Sequence, residues 1–437
     1  MDNLQYFKES FDRLQASDSD AKMSTIRQQA FSELDKMGIP TVKHEEWKYT
    51  RISSLFSNQN YKLPVEPVTD SISSNDIDLF RLPGHEQANV LVFVNGKVSL
   101  GLSKIISSDL IAIPLEEAAK NEYATIVSTY FGDSAHYQKD GINALNTAFV
   151  QGALFIQVKK GKTLEHPVYI YNVTDARSNS VLSQPRSLVH IDVNASAQFV
   201  EVYSCVGNEA SFTNQVTEVI VEKDAVLEYY KIQNEAIRNS NVSTTHIRQV
   251  GKSYTHTVTI SLDGGIVRNN LNIILDAEYC ESHLYGLYLQ NGQSHIDNHT
   301  LVDNVKPNCF SNELYKGIID ENASAVFNGK IFVRRQAQKT NAYQSNKNIL
   351  LSDTASVNTK PQLEIFADDV KCSHGCTIGQ LNEDGLFYLQ SRGISEKNAK
   401  ALLLHAFAED ILEHVKLVPV REYVDQLISE RLGFNLI

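Results

Sequence analysis

The sequence predicts a mainly β fold, with a parallel β-helix core between helical regions at the two ends. In residues 151–380, short segments rich in Val, Ile, Tyr and Phe alternate apolar and polar residues, and no helical periodicity interrupts them. A turn-like signature, an acidic residue or Asn followed closely by Ala, precedes several segments, and the spacing of about 30 residues between some neighbours is typical of solenoid repeats. Stacked coils bury a continuous core at any length, whereas a single sandwich rarely needs about 200 strand-rich residues.

The N-terminal region, residues 1–150, is predicted to be a mixed domain that begins with two helices. Apolar residues follow helical spacing at Leu4, Phe7, Phe11 and Leu14, and again at Ile26, Ala30, Phe31 and Leu34. Gly38 and Pro40 are expected to end the second helix, because glycine follows helix ends and proline cannot continue them.

The rest of this region is less regular. Residues 57–89 are polar and turn-rich, which indicates a linker or an irregular excursion. Residues 90–94 form an apolar run, and the Asn95-Gly96 pair that follows is a hairpin signal. Residues 115–130 and 141–150 are predicted to be helical.

The C-terminal region, residues 381–437, is predicted to be helical throughout. Asn382 begins one helix and Gly393 ends it, Ser395 caps a longer helix, and Pro419 opens the last one. The longer helix carries a broad apolar face, formed by Leu402, Leu403, Ala406, Phe407, Ile411, Leu412 and Val415. This region is expected either to cap the solenoid or to present a docking surface.

Composition excludes several classes of protein. The net charge of −12 argues against a nucleic-acid binder, since phosphate neutralisation needs clustered Lys and Arg. The N-terminus has no signal-peptide pattern, and no apolar run approaches the ~20 residues that span a bilayer. Five cysteines without framework spacing favour a reducing compartment. We therefore expect a cytoplasmic protein without a membrane segment.

The densest group of metal-ligating residues is Cys372, His374 and Cys376. In a strand, alternate residues share one face, so the three side chains should point the same way. Thiolate and imidazole suit iron, zinc, copper and iron–sulfur clusters. A structural zinc site usually needs a second Cys pair, and the sequence has none. The group is therefore either an incomplete site shared with a partner or a row of packing residues.

A second alternating triplet, His295, Asp297 and His299, also places three ligand types on one strand face. It could hold zinc or iron(II), which would make the chain a metal-dependent β-fold enzyme. Such a triplet in a solenoid is more often a buried polar ladder whose members hydrogen-bond one another. No HExxH motif is present to support a zinc protease.

No nucleotide site is predicted on this chain. Gly161-Lys162-Thr163 and Gly251-Lys252-Ser253 have the end of a phosphate-binding loop, but Ile156 and His246 stand where its earlier glycine is required. Cys280 near His283 lacks a third catalytic member, so it is weak evidence for a thiol nucleophile.

Several longer motifs occur along the chain, densest from about residue 290 to 410. They are Glu46-Trp47-Lys48-Tyr49-Thr50, His295-Ile296-Asp297-Asn298-His299-Thr300, Pro307-Asn308-Cys309, Glu313-Leu314-Tyr315-Lys316-Gly317-Ile318, and the stretches 338–342, 344–351, 360–375, 377–381 and 387–394. Together they resemble the SufB/SufD family of iron–sulfur cluster assembly proteins. The Lys-Cys-Ser-His-Gly form of 371–375 resembles the SufD branch more than the SufB branch.

The resemblance implies a right-handed parallel β-helix between N- and C-terminal helical domains. It implies a non-enzymatic scaffold that pairs with SufB and binds the ATPase SufC, with sulfur supplied by a cysteine desulfurase system. The sequence leaves open whether the chain forms a homodimer when these partners are lacking. The SufC-docking surface would fall within about 382–415, on Phe387, Leu402, Leu403, Phe407 and Ile411.

The resemblance also assigns the metal-ligating strand. The family's interface histidine falls on His374 and the neighbouring cysteine on Cys372, so iron or a nascent iron–sulfur cluster would be held transiently at the SufB interface. Cys376 stands where a small residue such as Ala is expected, and is either a further ligand or an inert side chain. The sequence carries no independent sign of a flavin site.

Overall fold

The computed structural model describes residues 3–17, 21–58, 61–64 and 71–433. Helices frame both ends of this chain. Those before residue 150 are α1 (Asn3–Ser17), α2 (Ala21–Met37), α3 (Ser53–Asn58), α4 (Ser74–Asp78), α5 (Leu115–Ala118), α6 (Ala124–Tyr130) and α7 (Gly141–Ala148). Those after residue 380 are α8 (Glu383–Ser391), α9 (Glu396–Leu412) and α10 (Val418–Arg431).

Strands fill the interval between the two helical regions. They are β1 (Asn89–Val94), β2 (Lys97–Val98), β3 (Leu110–Pro114), β4 (Leu154–Val158), β5 (Val168–Ala176), β6 (Val181–Ser183), β7 (Arg186–Ile191), β8 (Ser196–Gly207), β9 (Ser211–Val221), β10 (Val226–Asn234), β11 (Asn239–Gln249), β12 (Tyr254–Asp263), β13 (Ile266–Leu275), β14 (Glu281–Gln290), β15 (His295–Asn304), β16 (Phe310–Ile319), β17 (Ser324–Val333), β18 (Asn341–Leu350), β19 (Ser356–Thr359), β20 (Gln362–Ile365) and β21 (Lys371–Gly379).

The strands form two long sheets that face each other. One runs in the order β2-β1-β5-β8-β10-β12-β14-β16-β18-β21, and the other in the order β19-β17-β15-β13-β11-β9-β7-β4-β3, with β20 beside β17 and β6 beside β9. All strand pairs are parallel except two at the N-terminal end of the solenoid, where β1 pairs with β2 and β3 pairs with β4 in antiparallel fashion. Successive strands of a sheet are about 30 residues apart, so the chain winds through about eight coils. The predicted β-solenoid with terminal helices is confirmed.

The recurring turn signature has a backbone cause. A residue with positive φ stands two positions before five strands of the first sheet: Asn194 (56°), Asp224 (57°), Tyr279 (61°), Asn308 (61°) and Lys339 (59°). Asn and Asp tolerate this left-handed conformation better than most residues, which explains why they recur at the corners. The next residue is small or medium-sized and buried in each case: Ala195, Ala225, Cys280, Cys309 and Thr340. Cys280 and Cys309 are therefore corner residues of the core.

The interior between the two sheets is partly polar. Apolar residues such as Phe199, Val219 and Ile273 pack in its main cluster. Beside them, Lys231 is buried with its Nζ 2.9 Å from both Ser243 Oγ and Thr245 Oγ1, and 3.6 Å from a carboxylate oxygen of Glu201. Buried polar groups need such partners, because an unpaired one costs about 1–3 kcal/mol.

The two helical regions lie mainly on opposite outer faces of the solenoid. Helices α1, α2, α3 and α7 pack on the second sheet through a cluster that includes Phe11, Trp47, Leu145, Phe149, Phe212 and Val242. The short helix α4 is the exception, because its Ile77 packs with Tyr169 and Tyr171 of the first sheet. The C-terminal helices α9 and α10 pack along the first sheet through Leu404, Ile411, Val424 and Ile428, against Tyr230, Val258, Leu287 and Ile318. The C-terminal region therefore lies along the flank of the solenoid. None of the helices in the described part of the chain is long and apolar enough to cross a membrane.

Several local predictions are confirmed. Gly38 has φ of 64° and follows α2, and Asn95 and Gly96 turn β1 into β2 with φ of 50° and 83°. Asn382 and Ser395 accept the backbone N–H groups of Gly385 and Asn398, as helix caps do.

The expected irregular excursion at 57–89 is described only in part. Residues 59–60 and 65–70 lie outside the described residues, and the described part contains α4. In the predicted C-terminal region, residues 434–437 also lie outside the described residues.

Candidate functional site

The Cys372–His374–Cys376 row lies on β21, the last strand of the first sheet. In the described part of the chain, β21 pairs within its sheet only with β18, so its other edge is free. Cys372, His374 and Cys376 stand opposite the buried Ala342, Gln344 and Asn346, respectively. The row therefore faces the solenoid interior, at the end where no further coil covers it.

Exposure differs along this row. His374 and Cys376 are exposed, whereas Cys372 is half-buried and packs with a small cluster that contains Ile331, Val333 and Ala342. Burial raises the pKa of the Cys372 thiol, which is therefore protonated near neutral pH. A bound metal ion or a nearby cationic group would lower this pKa and favour the thiolate.

The spacing of the row makes it an incomplete site. Alternate residues on a strand are about 6.6–6.8 Å apart, so Cys372 and Cys376 are about 13 Å apart, which is too far for all three side chains to bind one ion. Among the described residues, the single group of at least three His, Cys, Asp or Glu side chains with ligand atoms within 4.8 Å of one another lies elsewhere, on α9 and α10. A metal at β21 would need ligands from outside this chain.

A hydrogen-bonded polar layer lies directly beneath this row. Gln344 Nε2 donates to Glu313 Oε2 at 2.7 Å. Asn346 Nδ2 donates to the Tyr288 hydroxyl at 3.1 Å, and Tyr288 donates to Asn348 Oδ1 at 2.5 Å. These five side chains are 3% exposed or less, and burial raises the pKa of Glu313 to about 7. The layer holds the inner face of β18 in one arrangement and so positions the row above it.

Sequence reasoning did not identify this layer as part of the site. The signal was available, because Gln344, Asn346 and Asn348 alternate within the strand-rich region and Glu313 belongs to a motif about 30 residues earlier. What the sequence lacked was the register that stacks Glu313 beneath Gln344 and His374.

The second triplet, His295, Asp297 and His299, is brought together on one face of β15. The fully buried Asp297 accepts from Arg268 Nη1 at 2.9 Å and from Thr50 Oγ1 at 2.5 Å. His299 Nε2 lies 3.0 Å from Asp297 Oδ1. Burial alone would raise the pKa of Asp297, but the adjacent His299 and Arg268 hold it well below its usual range. Arginine and threonine therefore occupy one oxygen, Oδ2, of the carboxylate that the enzyme hypothesis assigned to a metal, and His299 lies beside the other.

His295 closes the same network. Its Nε2 lies 2.8 Å from Thr50 Oγ1 and its Nδ1 lies 2.7 Å from Ser324 Oγ. Burial and the Arg268 charge lower the pKa of His295, so the ring is neutral at pH 7. The arrangement fits the buried polar ladder better than a metal centre.

This network joins two motifs that are far apart in the chain. The Arg268 guanidinium lies 3.8 Å from the centre of the Trp47 ring and donates to Glu46 O at 2.6 Å. Glu46 Oε2 lies 3.6 Å from His299 Nδ1, and the adjacent His299 lowers the pKa of Glu46. The segment 46–50 is thereby held against the solenoid wall.

Comparison with known proteins agrees with this architecture. The family described as SUF system FeS cluster assembly, SufBD core domain, matches residues 172–407, and the SufBD protein N-terminal region matches residues 2–170. The chain belongs to the SufBD family. Membership in this family places the chain in iron–sulfur cluster assembly.

Relatives in the SufBD family align over most of the chain. An iron–sulfur cluster assembly SufBD family protein of Synechocystis is 30% identical over 94% of this chain and 92% of its own length. The iron–sulfur cluster assembly protein SufD of Escherichia coli is 28% identical over 94% and 93%, respectively. A chloroplastic Arabidopsis thaliana protein, ABCI7, is 30% identical over 97% of this chain and 88% of its own length.

The residues predicted to dock a partner are exposed to different degrees in this SufBD chain. Phe387 on α8 is 73% exposed, and its neighbour Tyr388 is 57% exposed. Leu402, Leu403 and Phe407 on α9 are half-buried. Ile411 is fully buried against the first sheet, so it supports the position of α9 and does not contribute to the exposed surface.

Proposed function

We propose that this chain is the SufD-like component of an iron–sulfur cluster assembly scaffold and pairs with a SufB paralogue through the free edge of β21. The observation that carries the proposal is the incomplete ligand row, Cys372, His374 and Cys376, on the uncovered last coil. An unpaired strand edge is a template for another chain, and a partner strand would bring ligands to the same place.

In this proposal the nascent cluster, or the iron for it, is cargo held between the two chains. His374 offers an imidazole nitrogen, and Cys372 offers a thiolate once metal binding removes its proton. Cys376 lies two residues beyond His374 on the same face and would serve either as a ligand to another iron atom of the cluster or as an inert side chain. The polar layer around Gln344 would orient the row.

The SufC ATPase would dock on the C-terminal helices. The exposed Phe387 and Tyr388 and the half-buried Leu402, Leu403 and Phe407 form the apolar part of the surface offered there. The chain would contribute no catalysis of its own: ATP hydrolysis would belong to SufC, and sulfur would come from a cysteine desulfurase system. The assembly would work in the cytoplasm.

The test is anaerobic reconstitution of the chain with SufB and SufC from the same source. We expect a stable three-protein complex that accumulates cluster absorption, and we expect His374→Ala to reduce that absorption at least about tenfold while the complex still forms. Ser373→Ala is the matched control, because Ser373 is exposed on the opposite face of the same strand.

Two results would contradict the proposal. Failure of the wild-type chain to bind either SufB or SufC would remove the scaffold role. Equal cluster formation by wild type and His374→Ala would leave the pairing intact but move the ligands to the partner chain.

A further inference from the structure

A second group of metal-ligating side chains lies outside β21, between the last two helices. His405 and Glu409 are four residues apart on α9, so they share one face of that helix. Asp425 on α10 lies across from them, with its Oδ1 2.6 Å from His405 Nε2. The two helices are joined by the short connection 413–417, which keeps the facing residues together.

The geometry suits a single ion. One ligand atom from each of His405, Glu409 and Asp425 lies within 4.8 Å of the other two. Ligands about 2.0–2.2 Å from a tetrahedral metal are about 3.3–3.6 Å apart, so side-chain movements on the order of 1 Å would bring all three into contact with one ion. Three protein ligands would leave a coordination position open to water or to another molecule.

The charges also favour a cation. Asp425 pairs with His405, whereas Glu409 makes no ion pair or side-chain hydrogen bond among the described residues. No Lys or Arg of the described chain lies within salt-bridge distance of either carboxylate. All three residues are partly buried, so water screens the two carboxylates less than it would on an open surface. A divalent ion would neutralise both carboxylates.

We infer that this chain binds one divalent first-row transition-metal ion between α9 and α10, through His405, Glu409 and Asp425. One imidazole and two carboxylates form a ligand set of intermediate hardness, which suits Zn²⁺, Fe²⁺, Co²⁺ or Mn²⁺ better than Ca²⁺ or Mg²⁺. The ion would tie the two helices that flank the first sheet. This inference does not depend on the scaffold function, since none of its ligands lies on β21.

The experiment titrates Co²⁺ and Zn²⁺ into the full chain after chelator treatment, with calorimetry and visible absorption as readouts. Cys372→Ser/Cys376→Ser serves as the background, so that the cysteine row does not bind the probe. We expect one equivalent of metal and a cobalt spectrum without a thiolate charge-transfer band. Glu409→Gln and Asp425→Asn should each weaken binding at least about tenfold.

Glu422→Gln is the matched control, because Glu422 is exposed on α10 near Asp425 and makes no ion pair among the described residues. Zn²⁺ should raise the melting temperature of the background protein and of Glu422→Gln, but not that of Glu409→Gln. Equal melting temperatures in chelator would show that all variants fold alike. Binding that is unchanged in Glu409→Gln and Asp425→Asn, or absent from the background protein, would overturn the inference.

Discussion

At the scale of single residues, buried charges are the most consequential feature of this chain. Arg268 and Asp297 are each 1% exposed, and they form an ion pair that also holds Trp47 and Thr50 against the solenoid wall. A buried pair contributes little net stability compared with apolar residues, but removing one partner leaves an uncompensated charge in a dry environment.

We expect Arg268→Ala to lower the free energy of unfolding by about 3–5 kcal/mol, because Asp297 would lose its buried counter-charge. Denaturant titration measures the loss. Adding Asp297→Asn to Arg268→Ala should recover part of the lost stability, since the double variant has no unpaired carboxylate at position 297. Arg335→Ala, at an exposed arginine, should change stability by no more than about 0.5 kcal/mol. A similar small effect for Arg268→Ala would refute the assignment.

Glu313 makes stability depend on pH. Burial raises its pKa to about 7 in the folded chain, above the ordinary value of 4.5, so the folded state keeps a proton that the unfolded state releases. Stability from this group is therefore present at low pH and falls as pH rises from about 4.5 to 7. We expect Glu313→Gln to be more stable than wild type by about 1–3 kcal/mol at pH 8 and nearly equal to it at pH 4.5.

Thermal melts of wild type and Glu313→Gln across this pH range measure the difference. The comparison with wild type matters because the buried Glu235, whose pKa burial raises to about 8, adds a trend of the same sign to both proteins. If melting temperature depended on pH in the same way in both proteins, ionisation of Glu313 would not destabilise the folded chain, and the prediction would be wrong.

At the scale of elements, two coils interlock through glycine and tyrosine. A Cβ at Gly286 would lie 2.2 Å from the Tyr315 ring, and a Cβ at Gly317 would lie 2.2 Å from the Tyr288 ring. Each ring thus occupies the space above a glycine in the neighbouring coil. The glycine and the tyrosine of the Glu313–Ile318 motif are required by packing of adjacent coils.

Gly317→Ala should therefore lower the free energy of unfolding by about 1–3 kcal/mol, because the added methyl group has no room without moving a buried ring. Gly375→Ala is the control: it is in the same sheet, and a Cβ there meets no atom within 4 Å. Chemical denaturation of both variants tests this, and equal stability of the two would mean that the Tyr288 ring has room to move.

At the scale of the whole molecule, the two ends of the solenoid differ. At the first end, the antiparallel strands β2 and β3 close the two sheets. At the last end, β21 is exposed on both faces over most of its length, and Ile378 is 50% exposed on its inner face. An open, partly apolar edge favours association with another chain.

We expect the isolated chain to form a homodimer at high concentration through this end. A lysine at an exposed edge disfavours strand pairing, so Ile378→Lys should weaken dimerisation at least about tenfold. Sedimentation equilibrium measures this. Leu100→Lys is the control, because Leu100 is 60% exposed and precedes β3 at the other end of the solenoid. Weakening by Leu100→Lys alone would place the contact elsewhere.

The sequence by itself determined the local features of the molecule. Alternation along strands, the Asn and Asp corners that precede β8, β10 and β16, the Asn382 and Ser395 caps and the Asn95-Gly96 turn depend on backbone preferences within a few residues, so they were predictable. Alternation also predicted that Cys372, His374 and Cys376 share one face.

Only the tertiary structure decided what surrounds those residues. Asp297 pairs with Arg268 one coil earlier and with Thr50 from the N-terminal region, and Ile411 is buried although its helix pattern also suited a docking surface. Pairing of this kind depends on strand register and on which coil is last, and both follow from packing summed over the whole solenoid. No local pattern contains that information, so the open end at β21 and the facing of Asp425 toward His405 were visible only in the folded chain.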